Sequence, residues 1–444
     1  MQRLRSVPAS EWALLAALLL IAVATRYVGR DYVTGDMEIF FQWYAHLEQN
    51  GPGSPIGNYN APFLYLLMLA GWLPGELLYN LKAIFVLFDV LLSWYVFRIV
   101  GLRYAGWRVP AAAALIVAFL PTVVINASMY GQCDSIWASF AVGALYHLLR
   151  GSHWVAVSFC ALAYAFKPLG IFIVPTLALL LLAGKVRWRT LLALPLVYVA
   201  VDVPIMLLGR DPVEVLTLYF HQLDDPARLT RGGPTVFQFF DVRTGALELA
   251  SLGTLLAGAA VLGICWVLIA TRTELDHTRI VTAAASFALI VPFLQPRMHE
   301  RYFYLADVLT LILAFHVPKR WYLPLIVQAA SFLSYLPFML RGGPPGTYLD
   351  RKWLAALMLV ALVLTTYQLL RDVRGRDLFA ETPTPPEADS SSAGPPDGDV
   401  AGGSAGPPEG GASGKPADPP ASAAPGPDRG GPARPGGSPA LSGT

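Results

Sequence analysis

The chain has 444 residues, 55% of them hydrophobic and 14% charged, with a mean hydropathy of +0.51. A soluble domain carries roughly 25% charged residues, so this composition excludes an ordinary soluble enzyme. The net charge of +2 offers no basic surplus that would point to nucleic acid, and none is expected as a partner.

Residues Arg3 and Arg5 precede an apolar run from Trp12, and no small-residue cleavage site follows before Arg26, which reads as a signal-anchor first helix. Apolar runs then recur near 11–28, 62–74, 79–98, 109–127, 135–149, 153–168, 169–184, 190–208, 245–271, 280–295, 303–317, 321–340 and 352–370. About 20 apolar residues span a bilayer, so the expected class is all-α, a polytopic membrane protein. The run 62–74 is short and bounded by Pro62 and Pro74. If it is re-entrant or interfacial, Arg98, Arg103, Arg108, Arg150, Lys185 to Arg189, Arg272, Arg279, Lys319, Arg320 and Arg371 all fall on the cytoplasmic side. That arithmetic gives about 12 transmembrane helices, a multi-pass protein of the cell membrane with both termini cytoplasmic. Lys82 then sits at the outer end of its helix, and 135–149 and 153–168 are short for spans.

From Glu381 to Thr444 the sequence is rich in Pro, Gly, Ala and Ser and lacks aromatic residues. Such a segment cannot bury enough apolar surface to offset chain entropy. The expectation is a membrane body over 1–380 and a disordered cytoplasmic tail over 381–444. The three cysteines, Cys133, Cys160 and Cys265, are too scattered for a disulfide framework or a cysteine metal site.

This topology sends 29–61, 128–134, 209–244 and 295–302 to the outer face. In the first, Phe40, Trp43, Tyr44 and Leu47 recur at helical spacing, which predicts an amphipathic helix on the membrane surface with Asp36 at or near its N-cap. Capping alone would explain that aspartate. Next comes NYNAPFLYLL, with Asn58 and Tyr59, where turn chemistry and an interfacial aromatic suffice as a reading. In MYGQCDSIWASF, Gln132 and Asp134 interrupt two apolar runs, and Asp134 too stands where a helix cap would. Lys167, before Pro168, is either a snorkelling lysine or a cation facing an anion. The run PRMHERYFYLAD crowds His299, Glu300 and Arg301 into one short turn, which packing does not explain.

In this order, TGDMEIFFQW, NYNAPFLYL, GQCDSIWASF and MHERYFY resemble the GT-C superfamily of glycosyltransferases that use polyprenyl-phosphate sugars. The similarity is greatest to predicted membrane mannosyltransferases related to the GPI mannosyltransferase that adds the second mannose. The family shows NYPP or a close variant, whereas here Asn60 and Ala61 precede the single Pro62. The resemblance implies a seven-helix module over 1–208, an outer loop over 209–244 and variable helices over 245–380. It also implies an inverting transfer of a hexose, mannose foremost, from a polyprenyl-phosphate donor to a glycolipid, glycan or protein acceptor among the membrane lipids.

Sugar transfer from a lipid phosphate needs a base at the acceptor hydroxyl, a stabilised phosphate leaving group and an oriented site. Asp36 is the expected base. Lys167, His299 and Arg301 would bind the donor phosphate. Asn58, Tyr59, Gln132, Asp134 and Glu300 would position the sugar, the acceptor or those cations. No cofactor is assigned; a divalent metal is an open alternative, with Asp36 and Asp134 as its ligands. The rival class is a secondary transporter, since intramembrane acids such as Asp89 and Asp202 also suit one. A non-catalytic scaffold would leave the HERY turn without a purpose.

Overall fold

The computed structural model describes residues 8–220, 229–240, 245–340 and 350–371. The chain divides into two units, Met1–Glu381 and Thr382–Thr444. The expected disordered tail lies outside the described residues, as do parts of the loop 209–244.

The described chain is α-helical. Among the described residues there is no β-strand, only isolated bridges from Arg231 and Gly232 to His299. The helices are α1 (Ala9–Val28), α2 (Gly35–Asn50), α3 (Ala61–Trp72), α4 (Leu77–Val100), α5 (Arg108–Phe119), α6 (Pro121–Ile125), α7 (Asp134–Leu149), α8 (His153–Phe166) and α9 (Val174–Leu182). They continue as α10 (Ala193–Leu207), α11 (Pro212–Thr217), α12 (Ala246–Ala270), α13 (His277–Leu294), α14 (Tyr304–His316), α15 (Tyr322–Met339) and α16 (Arg351–Leu370).

Seven helical segments are long and apolar enough to cross a membrane, and the pair α5–α6 makes an eighth if it is one span bent by 52°. Twelve crossings require the shorter α7, α8, α14 and Pro168–Leu182 to cross as well. The helix α3, with 12 residues, rises only about 18 Å, too little to cross a hydrocarbon core of about 30 Å alone.

Prolines set the breaks. Pro121 lacks an N–H and crowds the preceding turn, so α5 ends at Phe119 and the chain restarts as α6. A π-helical turn, Asn126–Tyr130, follows and closes at Gly131, whose φ of 72° is left-handed. A Cβ at Gly131 would also clash with Met37 Sδ and Cγ, so only glycine fits this corner. Pro168 likewise pushes Lys167 into an extended conformation, φ −158° and ψ 138°, at the end of α8.

The bundle is layered by burial. α7, α13 and α14 are apolar and buried on nearly every side, as expected of central helices. α1, α10 and α12 keep most of their apolar side chains exposed, the pattern of helices facing lipid. The first residue of α7, Asp134, meets the turn between α13 and α14 at Arg301.

Candidate active site

The site forms where the first turn of α2, the Gly131 corner, the Lys167 break and the turn between α13 and α14 come together. α2 starts because Thr34, in extended conformation, accepts the N–H of Met37. Thr34 is therefore the N-cap, two residues before the expected position. Asp36 is a residue of the helix itself, and its side chain is released for other work. Phe40, Trp43 and Leu47 are buried as the helical spacing predicts, packed with Tyr59 and Phe63.

Asp36 Oδ2 accepts from Gln132 Nε2 at 2.6 Å and lies 3.3 Å from Arg301 Nη2. Among the described residues no hydrogen bond is made to its Oδ1. The Asp36 side chain is 29% exposed, whereas Asp134 and Glu300 are at 0%. Of the three carboxylates around Arg301, only Asp36 is reachable.

Asp134 also departs from the capping expectation. It begins α7, but no side-chain cap bond forms there and Cys133 occupies the N-cap. Its oxygens are instead saturated from outside. Lys167 Nζ donates to Oδ1 at 2.6 Å and Trp137 Nε1 at 2.9 Å, while Asn126 Nδ2 donates to Oδ2 at 2.8 Å. Arg301 Nε stands 3.6 Å from the same Oδ2. Lys167 is 2% exposed, so it does not snorkel; its ammonium also reaches Gln132 Oε1 at 3.3 Å.

Glu300 Oε1 accepts from Arg301 Nη1 at 2.9 Å and from Tyr130 Oη at 2.8 Å. Burial by itself would raise the Glu300 carboxyl, but the neighbouring Arg301 guanidinium and His299 hold it at about 2. The carboxylate is thus ionised throughout the physiological range. His299 is drawn below the ordinary imidazole value, chiefly by burial, and is neutral near pH 7. It contributes a hydrogen-bonding ring beside Arg231 rather than a charge.

Aromatic faces complete the surround. Arg301 lies over Tyr130 and Tyr302 at 5.4 and 5.6 Å, and Lys167 over Tyr59 and Tyr302 at 5.4 and 5.8 Å. The segment 229–240 docks on the turn: Arg231 and Gly233 donate to Met298 O at 3.1 and 3.0 Å. Arg297, at φ 62°, shows how tightly that turn is wound.

The structure thus joins Asp36, Tyr59, Gln132, Asp134, Lys167, Glu300 and Arg301 in one network and sets His299 at its edge. Asn58 is exposed, whereas Asn60 is buried and donates to Asp202 Oδ2 at 2.8 Å. Reasoning from residue types passed over Asn126, Tyr130, Trp137 and Tyr302. Trp137, one helical turn after Asp134 in DSIW, carried a readable signal; Asn126 did so only as an amide in an apolar run.

A metal fits poorly. Among the described residues no group of three or more His, Cys, Asp or Glu side chains is arranged to hold one. The place between Asp36 and Asp134 is taken by the Arg301 guanidinium, and the oxygens of Asp134 are already engaged. Asp89 and Asp202, the acids that suited a transporter, are each tied to a partner, Arg26 and Asn60. Lys82 is explained as well: its ammonium donates to the carbonyls of Gly29, Arg30 and Tyr32 at the end of α1.

No family model matches this sequence, and no curated protein does. The fold does match a crystal structure of ArnT from Cupriavidus metallidurans bound to undecaprenyl phosphate, with a TM-score of 0.51 and 15% sequence identity. The match covers 82% of this chain and 78% of that one. The all-α fold with many membrane-length helices expected from the sequence is found, and it is shared with ArnT.

Proposed function

We propose that this chain is an integral membrane glycosyltransferase. It moves a hexose, with mannose the first candidate, from a polyprenyl-phosphate donor to a glycolipid, glycan or protein acceptor at the outer face. The observation that carries this reading is the asymmetry around Arg301: three carboxylates, two sealed and one open. Asp36, held by Gln132 and Arg301 through one oxygen, keeps the other for an acceptor hydroxyl.

In this scheme the acceptor oxygen attacks the anomeric carbon as its proton passes to Asp36. The bond from that carbon to the phosphate oxygen breaks with inversion, and the phosphate leaves as an anion. Arg301 is the cation nearest the reachable oxygen, and it stabilises the departing charge, while His299 accepts from Arg231 and turns its other ring nitrogen toward Glu300. Lys167, matched by Asp134, works one layer behind, holding Gln132 and Asp134 in place. Support for a polyprenyl-linked donor comes from the shared fold with ArnT, which was crystallised with undecaprenyl phosphate. Twelve crossings, cytoplasmic termini and the division at 208 and 244 belong to the same proposal, and the arginine and lysine distribution supports them.

The test is incubation of membranes containing the protein with radiolabelled polyprenyl-phosphate mannose and a lipid extract, beside an Asp36→Asn control of matched abundance. Label should move into a new product only with the wild type. Equal label from both proteins would remove Asp36 from the chemistry, and no label with any polyprenyl-phosphate hexose would sink the donor class.

A further inference from the structure

At the other end of the bundle, α4, α7 and α14 finish where α13 begins. α14 runs 13 residues from the candidate site to His316, about 20 Å along its axis. There the helix ends line an open pocket of about 730 Å³. Its ionisable lining is Arg103, His153, Lys185, Asp276, His277 and His316, with Thr278 beside them.

Three features of this cavity point to an anion. The two fixed cations, Arg103 and Lys185, have no carboxylate partner among the described residues; Lys185 donates only to the Leu275 carbonyl, at 3.0 Å. The one acid, Asp276, is committed to capping α13, accepting the N–H of Arg279 at 2.7 Å. Finally, His316 is 98% buried within the wall; one ring nitrogen faces the Ile99 carbonyl and the other has no hydrogen-bond partner among the described residues. A buried polar group without a partner is costly, and an oxygen bound in the cavity would relieve it. The start of α13 adds the positive end of a helix dipole to the same space.

The surroundings also say at what depth it opens. Trp154, Trp188 and Trp321 follow closely on His153, Lys185 and His316 in sequence and are 53%, 69% and 64% exposed. Tryptophans at helix ends mark the level of lipid headgroups.

We propose that this cavity binds a phosphate-bearing anion, supplied either by the headgroup of an anionic phospholipid or by free phosphate. It is a site separate from the sugar-transfer chemistry and does not depend on that reading.

The test is calorimetric titration of the purified full-length protein in neutral detergent with dioctanoyl-phosphatidylglycerol, dioctanoyl-phosphatidylcholine and inorganic phosphate in turn. Arg103→Gln with Lys185→Gln removes both cations at exposed positions and should leave the fold intact. A control, Arg150→Gln with Arg187→Gln, removes the same charge on the same face outside the cavity. The expected result is that phosphatidylglycerol, inorganic phosphate or both bind, phosphatidylcholine binds more weakly, and the cavity variant loses about thirty-fold in affinity. The control should stay near wild type. Binding of the lipid alone assigns the headgroup as the source; binding of inorganic phosphate with similar affinity assigns the free ion. Unchanged affinity in the cavity variant, an equal loss in the control, or no binding of either anion would overturn the site.

Discussion

Two buried arginines in this protein meet carboxylates in different ways. Arg26 of α1 pairs with Asp89 of α4 through Nε and Nη2, the latter at 2.9 Å, and its Nη1 donates to the carbonyls of both Ala22 and Ala118. Both side chains are sealed, at 8% and 2% exposure. Arg301 meets three carboxylates drawn from α2, α7 and its own turn, and one of them stays 29% exposed. The first arrangement ties helices together. The second is a charge network with one oxygen left for something that is not protein. Burial of an ion pair is therefore no mark of function; a carboxylate oxygen left open to the outside is.

The comparison breaks most visibly at Asp36. Asp36→Asn should cut single-turnover sugar transfer by about 10²–10⁴-fold, the usual scale of a general base, while the melting temperature stays near wild type because Thr34 holds the cap. A large loss of stability with the rate per folded molecule intact would place Asp36 with Asp89, as a tie.

Asp89→Asn should behave in the opposite way. It leaves Arg26 buried without its counter-charge, a loss of about 3–5 kcal/mol, read as a lowered midpoint in thermal or denaturant unfolding. Transfer per folded molecule should not change, and Arg26→Met combined with Asp89→Leu should recover most of the stability. A fall in rate that persists in the folded fraction would contradict the division.

Glu300→Gln sharpens the second arrangement. Removing a charge-assisted bond to Arg301 should cost about 1.5–3 kcal/mol at neutral pH. Since the folded carboxyl is held at about 2 against an ordinary 4.5, its stabilisation is complete above pH 4.5 and is lost as pH falls from there toward 2. The stability gap between wild type and variant should therefore narrow on acidification through that window. A constant gap would mean that the ion pair contributes little.

Thr34→Ala should give the smallest effect, about 1 kcal/mol from the lost cap of α2. If it costs nothing, Thr34 does not cap α2.

How far residues alone lead can be seen at α2 and α7. The spacing of Phe40, Trp43, Tyr44 and Leu47 predicts one apolar face of α2; Phe40, Trp43 and Leu47 are buried and Tyr44 half-buried, since helical periodicity is a local property. The same reading puts Asp36 at the cap, because Thr, Gly and Asp in TGD all accept that role by type. Which one takes it depends on the backbone at Thr34, φ −98° and ψ 167°, and on Thr34 also donating to the Tyr130 carbonyl, 96 residues away. Asp134 repeats the lesson: a carboxylate at a helix start reads as a cap until Lys167, Trp137 and Asn126 are seen to surround it. Asn58 and Asn60 look alike in NYNAP, and only packing tells the exposed one from the buried one.

Sequence by itself determined that this chain lives in a membrane and is helical, because apolar runs of this length have no other way to satisfy their backbone in lipid. It also determined the chemistry on offer, acids and cations confined to a few short strings between those runs. The tertiary structure decided which of those groups meet. Positions 36, 134, 167 and 301 are far apart in the chain, and distance in space follows from helix packing and proline breaks rather than from spacing. It alone decided, too, that Asp134 and Glu300 are sealed while Asp36 is open, because exposure belongs to the surface that the assembled helices leave uncovered.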